Sequence, residues 1–392
     1  MAEQITAVSP SVLKWARTSL GLKVHEVAEE MGKDQDVIER WEDGAESPTY
    51  AQLERLAYTV FKRPIAIFFL PEPPHEVDVR AEFRTYLGSG ANKLDKDTLL
   101  AVRDARVRQL NLEEFHDSNT AVRSFLGSIH TLIKSNASIE ATASAVRNML
   151  GVTVLEISQA GNASASLDIW RSAVEAQAVF VFKRAFKQEN VSGFCLRHDS
   201  FPLIYLNNKT SFTRQTFTLV HELCHLAFDV SGVCAIDLEY TTGLQLSDKK
   251  TEEYCDAFAA EVLVPRADFL RLQIDPANSD DLVSAAKHYR VSPAVISRKC
   301  YDLGLISYQA LRELMALFFH DNWRTLSVSE TKSGGDYYNT QLQYLSKRYL
   351  TEAHRKHARG QISDQAFAEY LGVKVSSLAG IEGRLLGRQS GL

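Results

Sequence analysis

His221, Glu222 and His225 stand in the spacing His-Glu-x-x-His, and Phe217, Val220, Cys224, Ala227 and Phe228 surround them at helical intervals. On an α-helix, positions i and i+4 share a face. The two imidazoles therefore converge on one point where a metal ion can sit, and the glutamate reaches a water at that ion. A helix this apolar is largely buried, so His221 and Glu222 would be costly there without a partner. Zinc suits the donor set, and a catalytic zinc needs a third protein ligand and one open position. The run from Thr251 to Pro265 supplies a candidate, because Glu252 and Asp256 share a stripe with Ala259 and Leu263. The pattern predicts Glu252 as the third ligand. Asp256 is expected to hydrogen-bond a ligand imidazole and raise its basicity. Glu253 is the alternative ligand, and the alternative role for Glu252 is a helix-start carboxylate favoured by the dipole. Glu261 and Glu239 are expected to be solvated, and Cys224 to fill space rather than bind metal.

The elements that must position these residues can be read from apolar period and from helix breakers. Residues 95–150 read as helical, with Ala141, Ala145, Val146 and Leu150 in register before Gly151. Apolar runs at 152–157, 178–182 and 202–206 predict a small sheet. The strand at 203–206 is expected at an edge, beside the zinc helix, where an extended peptide can dock by strand addition. An ordinary core strand is the other reading. Helical pattern resumes at Phe212 and runs to Leu314, residues 329–336 read as a linker, and the last 55 residues are helical again, with a helix-turn-helix cadence about Gly372.

Near the start of the chain, Val24, Val27, Ala28 and Met31, then Val37, Ile38 and Trp41, give two short helices about Gly32. Flanking helices at 12–19 and 51–60 complete a helix-turn-helix bundle that closes at the Pro71-Glu72-Pro73-Pro74 run. Lys33, Gln35 and Arg40 are the candidate DNA contacts. Between Met1 and Glu72, however, eight basic residues face twelve acidic ones, and Asp34 and Asp36 sit at the entry of the second helix, where they repel phosphates. DNA binding through residues 10–70 therefore competes with a docking or dimerisation role, a homodimer among the outcomes. Lys347, Arg348, Arg355, Lys356 and Arg359 read as a solvated basic face that could also meet an acidic partner.

Taken together, these motifs resemble the ImmA/IrrE-type metallopeptidases, here behind an Xre-type helix-turn-helix module. The resemblance rests on the run from Phe217 to Leu226, on Glu252 to Pro265 with its Asp256-Ala257-Phe258-Ala259-Ala260 centre, and on Val291-Ser292-Pro293 leading to Leu303-Gly304-Leu305. It covers roughly residues 140–315, with 10–70 for the first module. It implies zinc on His221, His225 and Glu252, Glu222 as acid/base, and a regulatory role in which a specific protein substrate, a repressor or a cognate toxin, is the partner. The expected fold is α+β and mainly helical: a helix-turn-helix bundle at 1–74, a helical connection at 75–140, a zincin-like peptidase domain with a small sheet at 141–325 and a helical C-terminal domain at 326–392. A non-proteolytic antitoxin or DNA-binding transcriptional regulator on the same scaffold is the competing class.

Composition narrows the field. With 44 Lys and Arg against 49 Asp and Glu, the formal charge of −5 gives no molecule-wide pull towards nucleic acid or anionic lipid. No apolar run exceeds that of residues 65–70, far short of the ~20 residues a spanning helix needs. Five cysteines without a Cys-x-x-Cys pair make neither a disulfide framework nor a thiolate zinc site, and a cytoplasmic location is expected.

Overall fold

The structure is a computed structural model that describes residues 7–76, 94–115, 120–188, 191–228, 232–235, 246–329 and 337–389. The chain is mainly helical with one small sheet, an α+β architecture, and forms two compact units, Met1–Arg103 and Asp104–Leu392. No helix among the described residues is long and apolar enough to cross a membrane.

In the first unit, helices Pro10–Ser19, Val24–Met31, Gln35–Asp43 and Tyr50–Arg55 bury Val12, Leu13, Ala16, Val27, Ala28, Met31, Ile38, Trp41 and Leu53. Gly32 ends the second helix with φ of +63°, a left-handed conformation that glycine adopts without steric cost, and only Lys33 and Asp34 separate it from the third helix. Arg17 grips Glu42 with two charge-assisted bonds of 2.6 and 2.7 Å, tying the first helix to the third.

The second unit is built around four strands in the order β1-β3-β2-β4: β1 Phe180–Arg184, β2 Val191–Leu196, β3 Leu203–Asn207 and β4 Gly232–Ala235. β1 and β3 are parallel, while β2 runs antiparallel to both β3 and β4. Alternation sends Val181, Ile204, Leu206 and Cys195 into the main core with the helix Phe212–Ala227. Phe182, Tyr205 and Phe194 form an aromatic stack on the opposite face, with centroids 5.2 Å apart at each step. Tyr349, from the helix Lys347–Ala358, meets Phe182 edge-on, and the Tyr205 hydroxyl donates to Asp104 at 2.7 Å. The sheet is thus covered by helices on both faces.

Several expectations change here. Residues 152–157 form no strand, because the Thr153 hydroxyl accepts from the Glu156 N–H and starts a short helix, Val154–Gln159. The strand at 203–206 is central rather than at an edge: its backbone groups are paired on both sides, so no peptide can add to it. Strands β2 and β4 were not anticipated, and β4 interrupts the helical run expected from 212 to 314. Of the linker expected at 329–336, all but the first residue lies outside the described residues, as does Glu239. The basic helix Lys347–Ala358 is partly spent on its own unit: Lys347 donates to Ser172, the Arg348 guanidinium lies 5.7 Å over the Phe180 ring, and Lys356 donates to the Glu114 carbonyl.

Candidate metal centre

Two helices bring the site together. The histidine helix, Phe212–Ala227, begins where the Ser211 hydroxyl accepts from the Arg214 N–H, and its buried stretch runs from Thr218 to Ala227. At its far end His130 Nδ1 lies 2.9 Å from the Ala227 carbonyl oxygen, supplying a partner to a terminal acceptor that the helix leaves open. The glutamate helix, Leu246–Leu263, is held at its C-terminus in the same manner. Arg147 donates to the Val262 carbonyl at 2.5 Å, while Glu261 accepts from the Arg266 N–H at 2.7 Å and pairs with Lys299. Glu261 is therefore not solvated as expected. It is buried, and it ties the end of the glutamate helix to the helix Pro293–Asp302.

His221, Glu222 and His225 are almost wholly buried. His221 Nε2 lies 3.0 Å from His225 Nε2 and 3.3 Å from Glu252 Oε2, and His225 Nε2 lies 3.2 Å from Glu252 Oε1. Ligands about 2.0–2.1 Å from a tetrahedral zinc lie roughly 3.3 Å from one another, so this triangle has the dimensions of three tetrahedral corners. Two buried imidazoles and a carboxylate are also a donor set that zinc accepts. Among the described residues this is the group of histidine, cysteine and carboxylate side chains arranged to hold a metal ion.

On the outer side of His221, Nδ1 lies 2.9 Å from Asp256 Oδ1. The carboxylate stands where it can take a proton from Nδ1, the arrangement that would leave Nε2 as a lone-pair donor to a metal. Glu253 points elsewhere: its side chain is 60% exposed and its nearest charge is Lys249, at 4.0 Å. Cys224 is not part of the ligand triangle, and burial pushes the thiol pKa of its neighbour Cys255 well above its ordinary value. Both thiols lie in the main core, which fits a space-filling role.

The charges balance within the cluster. Burial alone would raise the Glu252 pKa, but His225 and His221 outweigh it and hold the carboxyl well below the usual carboxylate range. Glu222 behaves oppositely: full burial pushes its pKa up, and the attraction of the two imidazoles does not reverse that.

Two of the three candidate DNA contacts of the first unit have other partners. Arg40 Nε donates to Glu46 at 2.9 Å, Gln35 donates to Glu39 at 2.7 Å, and Lys33, Asp34 and Asp36 are exposed side by side.

No curated protein matches the chain. Residues 174–301 match the family model described as the IrrE N-terminal-like domain, Peptidase_M78, a span that takes in all four strands, both ligand helices and the triangle, and that points to a metallopeptidase family.

Proposed function

We propose that this chain is a zinc-dependent regulatory metallo-endopeptidase that cuts a specific partner protein. The observation that carries the reading is the buried triangle of His221, His225 and Glu252 with Glu222 beside it in the same helix. A purely structural zinc site closes all four positions with protein ligands and has no use for a neighbouring acid/base. Zinc held there would polarise the scissile carbonyl and lower the pKa of a bound water towards ~7. Glu222 takes the proton from the attacking water at its carboxylate and delivers it to the leaving amine nitrogen. Asp256 holds the His221 ring by Nδ1. Among the described residues β4 pairs only with β2, so its outer edge is where an extended substrate can add as a strand.

For the first unit we favour a helix-turn-helix fold used for protein docking over duplex DNA. Arg40 and Gln35 are engaged by glutamates, and the exposed Asp34 and Asp36 oppose phosphate. A repressor or a cognate toxin is the partner class that the resemblance to regulatory peptidases suggests.

The test compares cells making the wild type with cells making Glu222→Gln, by mass spectrometry of protein N-termini. The expected result is a small set of new N-termini that vanishes in the variant while its zinc content is unchanged. Identical N-termini in both, with regulation intact in the variant, would establish the non-proteolytic class instead.

A further inference from the structure

Ser192 is the irregular residue of β2. Val191 pairs with Ala235 and Gly193 with Cys234, so two steps along β2 face one step along β4, and Ser192 is the extra residue of a bulge. A bulge re-aims a side chain, and here the buried Ser192 hydroxyl accepts from the Arg214 guanidinium at 3.3 Å. Arg214 belongs to the histidine helix. Its guanidinium also lies 5.8 Å from the centroid of the Phe217 ring, and that ring lies 6.2 Å from the His221 ring. Positions 214, 217 and 221 are spaced by three and four residues, so they form one stripe that runs into the metal triangle. Arg214 and Phe217 are both partly exposed, whereas the helix from Thr218 to Ala227 is sealed. The approach to the triangle is therefore aromatic beside His221 and cationic one turn further out.

The sheet gives this stripe a direction and a length. Ser192 meets the helix at Arg214, and Gly193 meets it at Thr218, where an added Cβ would lie 2.5 Å from Thr218 Cγ2, so β2 and the helix advance in the same sense. β4 runs antiparallel to β2, which sets its Ala235 end towards Arg214 and its Gly232 end towards the histidines. Seven helix residues from Arg214 to His221 advance by about 10.5 Å, and three strand residues from Gly232 to Ala235 by about 10 Å. We propose that Arg214 is a specificity residue: it binds an acidic side chain of the substrate, aspartate or glutamate, about three residues before the bond that is cut. The proposal deepens the peptidase reading and rests on it, together with strand addition at the outer edge of β4. A strand added antiparallel to β4, the commoner pairing, runs from the Arg214 end to the metal end, so Arg214 meets residues on the N-terminal side of the bond. Arginine presents a planar fork of N–H donors that matches a carboxylate in both geometry and charge. Ser192 and Phe217 hold that fork in place beforehand, so less order is lost when the carboxylate arrives.

The first arm of the test reads the sequences flanking the N-termini that wild type produces and Glu222→Gln does not. An aspartate or glutamate should stand about two to four residues before the cut. In the second arm, that substrate is made with the acid replaced by lysine and incubated with the full-length zinc protein. Cleavage by wild type should fall about ten- to a hundredfold, as expected for the loss of a hydrogen-bonded charge. Arg214→Glu, with one zinc per chain, should cut the lysine substrate better than the original. A role confined to holding β2 would not exchange the preference in this way. Cuts with no acid in that window overturn the proposal, as does a lysine substrate that wild type cleaves at the full rate, and neither result depends on the variant folding. Absence of any wild-type-dependent N-terminus is a different failure: it overturns the peptidase reading and this proposal with it.

Discussion

At the scale of residues, the site divides into groups placed to hold a metal ion and groups that stand against them. Removing His221 or Glu252 takes away one of three ligands, and each alanine variant is expected to lose most of its zinc by elemental analysis. Full occupancy in Glu252→Ala would return the third position to Glu253. Asp256 touches only the outer nitrogen of His221, so Asp256→Ala should weaken zinc binding by about 10–100-fold without abolishing it, measured by competition with a chelator. The convergence of His221, His225 and Glu252 was legible in the sequence, because helical period decides which side chains share a stripe. Glu261 was not legible: its partner, Lys299, lies 38 residues away, and nothing local marks a surface-looking glutamate as buried.

At the scale of elements, the two ligand helices are held by contacts that can be broken one at a time. Gly193→Ala places a methyl group against Thr218 and the Tyr205 carbonyl. Because the obstruction includes backbone, the expected loss of stability is about 1–3 kcal/mol by denaturant melting. Lys299→Met leaves Glu261 buried without its cation and should cost about 3–5 kcal/mol, whereas replacing both residues by apolar ones should restore much of it. An unchanged melting midpoint in Lys299→Met would show that the pair does not stabilise the helix end. The helices of this unit were largely legible because their caps and periods are local. The sheet was not. Strand order depends on partners distant in sequence, so β3 reads as an edge or a centre equally well, and residues 152–157 look strand-like until the Thr153 cap is considered. β2 hides behind Gly193, a residue of low strand propensity that the close approach of the histidine helix requires.

At the scale of the whole molecule, the balance of charge bears on what the first unit can do. Duplex affinity comes largely from counterions released at Lys and Arg, and this unit sets acidic side chains beside them. The full-length protein should bind duplex DNA weakly at physiological salt, with a logarithmic salt slope of magnitude below about 4, and Arg40→Ala should change little. Tight binding lost on that substitution would make the unit a DNA reader. For the second unit, X-ray absorption at the zinc edge of the purified full-length protein is the most direct test of the metal centre. The expected result is one zinc per chain whose first coordination sphere contains only nitrogen and oxygen, near ~2.0–2.1 Å, with the imidazole scattering of two histidines. A sulfur neighbour near ~2.3 Å, or a protein that holds no zinc when supplied with it, would contradict the assignment of His221, His225 and Glu252.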